Sequence, residues 1–291
     1  MHRIVEGDNL EVLRALGDGA VNLIYIDPPF NTGREQRHTS VRTEHVESGS
    51  VDEGDRTGFG GRRYQTTKIE SQAFADKFDN FLGFLETRLI ECRRVLAEDG
   101  SLFLHLDPRE SHYAKVLLDG IFGRASFLNE IVWAYDYGGR SKRRWPAKHD
   151  TIFWYAKDPK QYTFDYDAID RIPYMAPGLV TPEKVERGKV PTDVWWQTVV
   201  PTSGTERTGY PTQKPLAVLE RIIRVHSRPG DLVADFFAGS GTAGEAAARN
   251  DRDFLLVDSN PEAIDVMASR LERWQPEIVR AAPIAVEDGA R

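Results

Sequence analysis

The chain has 291 residues, 40% hydrophobic and 29% charged, and a formal net charge of −7, which speaks against a nonspecific nucleic-acid coat while leaving room for a local basic groove. A single cysteine, Cys92, excludes an internal disulfide framework and a cysteine zinc site, and fits a reducing compartment. No apolar run approaches the roughly 18 residues of a membrane span, and the start "MHRIVEGDNL" has no signal-peptide core, so a soluble, cytoplasmic protein without a membrane partner is expected.

In chain order, residues 10–16 read as a short helix and 21–26 as a buried strand, short, apolar and β-rich. That strand runs into Asp27-Pro28-Pro29-Phe30. Residues 31–75 are polar and rich in Gly, Ser, Thr and Arg, and a connection of that length is either functional or disordered. Residues 78–96 place Phe78, Phe81, Leu82, Leu85, Leu89 and Leu96 on one helical face, and Asp99-Gly100 ends that helix. Strands are expected at 101–106 and 151–156; between them, residues 138–148 gather Arg140, Lys142, Arg143, Arg144 and Lys148 around Trp145. Residues 157–210 hold many Pro, Gly and aromatic residues with little periodicity, and read as an irregular module of their own. A helix at 215–226, strands at 231–235 and 253–257 and a helix at 261–274 follow, the last opened by Asn260-Pro261. The tail from residue 275 is expected to be loosely held. Strands alternating with helices make an α/β fold with a mainly parallel sheet.

Two stretches carry chemistry. In "LVADFFAGSGTAG" a strand meets Asp235, then Gly239-Ser240-Gly241, then a helix of small residues. Glycines permit the turn and let backbone N–H groups approach a ligand, and Asp258, at the end of the next strand, suits a ribose-binding carboxylate. A tight turn without a ligand fits the same pattern. In "LIYIDPPF" the Asp27 carboxylate and the Pro28 carbonyl are two acceptors for one exocyclic amino group, with Phe30 placed to stack on the base that bears it. A strand-ending turn is the plainer alternative.

Together these motifs resemble the S-adenosylmethionine-dependent DNA amino-methyltransferases of the N6-adenine/N4-cytosine family. The catalytic tetrapeptide precedes "FAGSG" (237–241), as in the permuted β class. "GDNLEVL" (7–13) resembles the cofactor segment before the catalytic strand. "KHDTIFWYAK" (148–157) resembles a segment of the target-base pocket, and "YPTQKP" (210–215) the family's "HPTQKP" with Tyr210 in place of histidine. The resemblance implies a Rossmann-like class I methyltransferase fold with a target-recognition insertion. Residues 1–156 would form the catalytic half, 157–210 the target-recognition region, 211–274 the cofactor half and 275–291 the tail. It implies catalysis at Asp27, Pro28, Pro29 and Phe30 without a metal. S-adenosylmethionine contacts are implied at Asp8, Asp27, Thr212, Gln213, Lys214, Pro215, Asp235, Phe237, Ala238, Gly239, Ser240, Gly241, Thr242 and Asp258. Asp8 and Thr212 also suit plain helix capping.

The expected partner is double-stranded DNA, with the target base flipped out. Arg140, Lys142, Arg143, Arg144 and Lys148 read as a phosphate clamp, or as a solvated loop. Arg34, Arg37, Arg42, Arg62 and Arg63 mark 31–75 as a mobile lid, or as a disordered insertion. Either Trp195 or Trp196 is expected near the pocket, with at least one of the two in the core. Asp at the first motif position leans towards adenine N6, with cytosine N4 the alternative. An RNA or protein-amide methyltransferase, a Rossmann dehydrogenase and a catalytically silent DNA-binding protein fit fewer of the motifs. The resemblance is compatible with a homodimer and a separate cognate restriction enzyme, although no interface is evident in the sequence.

Overall fold

The computed structural model describes residues 1–29, 34–45, 55–57, 63–76, 80–201 and 204–280. The elements are β1 (His2–Glu6), α1 (Asn9–Ala15), β2 (Val21–Ile26), β3 (Arg34–His45), β4 (Asp55–Thr57), β5 (Arg63–Asp76), α2 (Phe81–Val95), β6 (Leu96–Leu106), α3 (Ser111–Phe122), β7 (Phe127–Ala134), β8 (His149–Ala156), α4 (Pro182–Arg187), β9 (Val194–Trp196), α5 (Leu216–His226), β10 (Leu232–Asp235), α6 (Thr242–Arg249), β11 (Asp253–Asp258), α7 (Pro261–Leu271) and β12 (Glu277–Val279).

Nine strands form the central sheet in the order β12-β1-β11-β10-β2-β6-β8-β7-β9. Only β8 runs against the others, antiparallel to both β6 and β7. The apolar runs are continuous because both faces of the central strands are covered. Leu23, Tyr25, Phe103, Ile152 and Trp154 join a core cluster with Leu219 and Ile222 of α5, Ala246 of α6 and Ile264 of α7. The alternate residues Ile24, Ile26, Leu102 and Leu104 are equally buried, and Tyr155 meets Phe122 of α3.

This order places the site. From β10 the chain crosses through α6 to β11, while β2 lies on the other flank of β10 and leads away to β6. The crevice at the carboxyl ends of β10 and β2 is therefore the topological switch point, where open α/β sheets bind ligands. Asp27 follows β2, Asp107 follows β6, and β10 and β11 end in Asp235 and Asp258. Those strands are mutually parallel, so the acids gather along one edge.

Several expectations change. Residues 31–75, expected as a polar connection, carry β3 and β5 paired antiparallel from Arg34↔Asp76 to His45↔Tyr64, with β4 added to β5. These strands belong to a small unit separate from the main body. Thr39, Val41 and Thr43 supply the strand-forming alternation, diluted by polar neighbours. Residues 157–210 do not stand apart from the core. Asp170 holds Arg221 at 3.0 Å and also pairs with Arg224, both on α5, and β9 continues the central sheet beside β7. The tail is not loose from residue 275: β12 pairs with β1, and Arg3 Nε donates to Glu277 at 2.9 Å. Residues 281–291 lie outside the described residues. β1, α3 and β7 carry no clear periodic signal in the sequence. In β7, Asn129-Glu130 interrupts the apolar pattern; in α3, Val116 and Tyr113 face solvent while Ser111 is buried.

Candidate active site

Pro28 and Pro29 have no N–H, so the β2 ladder stops and the chain turns at Asp27. The Asp27 and Lys214 side chains are only 15% and 9% exposed, and Lys214 Nζ donates to Asp27 Oδ2. The other carboxylate oxygen, Oδ1, is buried and has no hydrogen-bond partner among the described residues. A buried acceptor left open is costly unless a donor arrives. Phe30 lies outside the described residues.

The glycine loop is held from two sides. Gly239 N–H donates to Asp258 Oδ2 at 2.9 Å, and Asn260 N–H donates to Asp258 Oδ1 at 2.9 Å. Asp258 therefore both braces the loop and caps the approach to α7, and burial raises its pKa. Gly239 and Gly241 have φ of 48° and 74°, in the left-handed region. A Cβ on Gly239 would lie 3.1 Å from the Tyr210 ring, and one on Gly241 would lie 2.8 Å from Met267 Cγ. Glycine at both positions avoids these contacts and the backbone strain. Phe237 N–H donates to Asp235 Oδ1 at 2.9 Å, and Ala238 N–H donates to the Val257 carbonyl at 3.1 Å. Burial raises the Asp235 pKa far above the usual carboxylate range; the Phe237 N–H opposes the shift, and the charges of Asp27 and Asp258 add to it. Half-buried Phe237 meets Phe84 of α2. Ser240 and Thr242 share a hydroxyl hydrogen bond of 3.1 Å.

The "YPTQKP" segment joins the two halves. Thr242 Oγ1 donates to the Lys214 carbonyl at 3.2 Å, while the Lys214 side chain reaches Asp27. Thr212 is exposed with φ of 58°, uncommon for a β-branched residue, and it is not an N-cap: Pro215 takes that position before α5. Gln213 is directed inward, accepting from Thr208 N–H at 2.9 Å and donating to the Glu206 carbonyl at 2.8 Å. Asp8 caps α1, accepting from Leu10 N–H at 2.8 Å, and meets Arg88 at 3.3 Å.

Residues 21–269 match the N6/N4 methyltransferase family, described as DNA methylase. The DNA adenine methyltransferase YhdJ of Escherichia coli (strain K12) is 31% identical over 277 residues, covering 92% of this chain and 82% of YhdJ. The chain belongs to the N6/N4 DNA methylase family. The type II methyltransferase M.HpaI of Haemophilus parainfluenzae is 29% identical, over 93% of this chain and 74% of its own. The cytosine-N4-specific PvuII DNA methyltransferase shares the fold, with a TM-score of 0.60 at 16% identity over 92% of this chain and 85% of that one. This N6/N4 DNA methylase is a site-specific DNA methyltransferase acting on an exocyclic amino group.

In this N6/N4 DNA methylase the 138–148 cations divide. Lys148 Nζ donates to the Tyr137 carbonyl and, at 3.0 Å, to the Gly139 carbonyl, closing the base of the loop. Arg140 pairs with Asp136 at 2.6 Å. Lys142, Arg143 and Arg144 are exposed and make no ion pair among the described residues.

Sequence reasoning missed a buried polar chain beside Asp27. Tyr25 OH lies 2.6 Å from His105 Nδ1, His105 Nε2 lies 3.2 Å from Asp150 Oδ2, and Tyr135 OH donates to Asp150 Oδ1 at 3.0 Å. Burial pushes the Asp150 pKa up, but the interactions with His105, the Lys214 charge and the Tyr135 hydrogen bond together hold it below the usual carboxylate value. The polar interruptions His105 and Asp150 within otherwise apolar strands were the available signal.

Proposed function

We propose that this methyltransferase methylates adenine at N6 within a specific duplex sequence. The observation that carries the reading is the buried Asp27 Oδ1 at the switch point, without a partner among the described residues, its sister oxygen held by Lys214. That acceptor and the Pro28 carbonyl suit the two hydrogens of one amino group. Holding both draws the nitrogen towards tetrahedral geometry and aims its lone pair, which is positioning together with transition-state electrostatics. Lys214 orients the carboxylate and balances its charge. Once methylated, the nitrogen is cationic and sheds its proton readily, so Asp27 need not remove it beforehand. Pro29 fixes the turn, and Phe30 stacks on the flipped base.

S-adenosylmethionine is the donor; when bound, it supplies a methyl group on an activated sulfonium. The left-handed turn at Gly239 and Gly241, with Ala238, Ser240 and Thr242, suits a ligand that approaches the backbone closely. Asp258 suits the ribose hydroxyls and Asp8 the adenine end. Asp235, Phe237, Thr212, Gln213, Lys214 and Pro215 shape the remainder. Lys142, Arg143 and Arg144 engage phosphates, and residues 157–210 read the sequence. A DNA substrate suits a cytoplasmic protein. Among the described residues no helix is long and apolar enough to cross a membrane.

Asp27 in place of serine favours adenine, and the relative YhdJ is a DNA adenine methyltransferase. The second reading, cytosine N4, is favoured by the family's span of both bases. DNA methylated by the protein, digested to nucleosides and weighed by mass spectrometry, should contain N6-methyladenine and lose it with Asp27→Ala. N4-methylcytosine instead would overturn the adenine assignment.

A further inference from the structure

The loop between β7 and β8 stands at the same sheet edge as Asp27, because β7 ends and β8 begins where β6 and β2 end. Its base is fixed. Tyr135 N–H donates to the Lys148 carbonyl at 2.9 Å, and Lys148 Nζ holds the Tyr137 and Gly139 carbonyls. Tyr135 OH ties the base to Asp150 and so to His105 and Tyr25.

The tip is the opposite. Trp145 is 95% exposed, whereas Trp133, Trp154 and Trp195 are 2%, 6% and 8% exposed. Its ring makes neither a hydrogen bond nor a ring contact among the described residues. Lys142, Arg143 and Arg144, without ion-pair partners among the described residues, directly precede it, and Pro146 restricts the backbone that follows. A rigid-based loop that presents an uncovered indole beside three free cations suits a polyanion with flat apolar faces inside it: cations for phosphates, the indole for bases.

Flipping a base leaves a gap in the stack, and DNA-bending proteins fill such steps with apolar wedges. We propose that Trp145 enters the duplex at the gap left by the flipped target and stacks on the neighbouring pairs. This inference rests on the reading of the protein as a base-flipping DNA methyltransferase. Trp145 lowers the cost of extrusion, while Arg143 and Arg144 hold the strand whatever its pairing.

The test compares single-turnover methyl transfer by the full chain on two duplexes carrying the site mapped from DNA it has methylated. In one duplex the target base is paired; in the other it faces an abasic position. Trp145→Ala should slow transfer about tenfold or more on the paired duplex, a stacking-sized loss, and only about threefold or less on the abasic one, where little unpairing remains. Trp145→Phe should retain most of the paired rate, and Arg143→Ala with Arg144→Ala should weaken both duplexes alike. An unchanged paired rate for Trp145→Ala, or equal losses on both duplexes, overturns the wedge. Failure of the wild-type protein to methylate any DNA at the mapping step overturns instead the DNA reading beneath it.

Discussion

Replacing Lys214 with methionine tests the pairing at the centre of the site. Asp27 and Lys214 are 15% and 9% exposed, so little solvent screening is available once the ammonium is gone. Asp27 Oδ1 already lacks a partner among the described residues, so the variant leaves a carboxylate with neither oxygen satisfied by them. Removing one member of a buried pair costs about 3–5 kcal/mol. At about 2–4 °C per kcal/mol for a domain of this size, the melting temperature should fall by roughly 6–20 °C. Methyl transfer should drop by about a hundredfold, the scale of losing one preorganised electrostatic contact. Denaturant melts of the Asp27→Asn, Lys214→Met and doubly substituted proteins measure the coupling. The double variant carries no buried charge at this pair and should be more stable than the sum of the single losses by more than about 1 kcal/mol. Single losses that add to the double within about 0.3–0.5 kcal/mol would refute the pairing as a stabilising and orienting contact.

Gly241→Ala forces a left-handed alanine, which costs about 1–2 kcal/mol, and brings a methyl 2.8 Å from Met267 Cγ. Calorimetric titration with S-adenosylmethionine should show weaker binding together with that lost stability. Burial holds the His226 imidazole down at about 3, so the unfolded chain gains a proton through about pH 6.5 that the folded chain refuses. Stability from this group is complete above that pH and is lost as pH falls towards the folded value. The loss is roughly 2 kcal/mol between pH 7 and pH 5, and it should shrink in His226→Asn when both proteins are melted across that range. Tyr25→Phe removes a buried partner of His105 and should cost about 1–3 kcal/mol in a denaturant melt, with cofactor affinity unchanged. Arg143→Ala with Arg144→Ala should lower the slope of log affinity against log salt by about two, as read by fluorescence anisotropy with labelled duplex.

Much of the fold was legible because its signals are local. Apolar runs such as 21–26 and 151–156 are strands buried on both faces. The helix expected at 78–96 forms at Phe81–Val95, capped by Asn80, whose side chain accepts from Gly83 N–H at 2.9 Å. Where polar residues interrupt the pattern, as at Asn129-Glu130 in β7, or where the strand is an exposed edge, as β12, periodicity fails. Trp195 and Trp196 show a limit of another kind. The "VWW" run contains a strand, but register against β7 decides that Trp195 is buried and Trp196 is 76% exposed.

What the sequence by itself determined is a set of strand, acid and turn units, because proline's missing N–H and glycine's left-handed freedom act within a few residues of Asp27 and Gly239. Which units meet was decided only by the tertiary structure. Lys214 reaches Asp27 across 187 positions of chain, and His105 meets Asp150 across 45. Those encounters follow from sheet order, with β10 beside β2 and β8 reversed beside β6. Sheet order depends on packing every strand and helix at once, so no local stretch of residues encodes it.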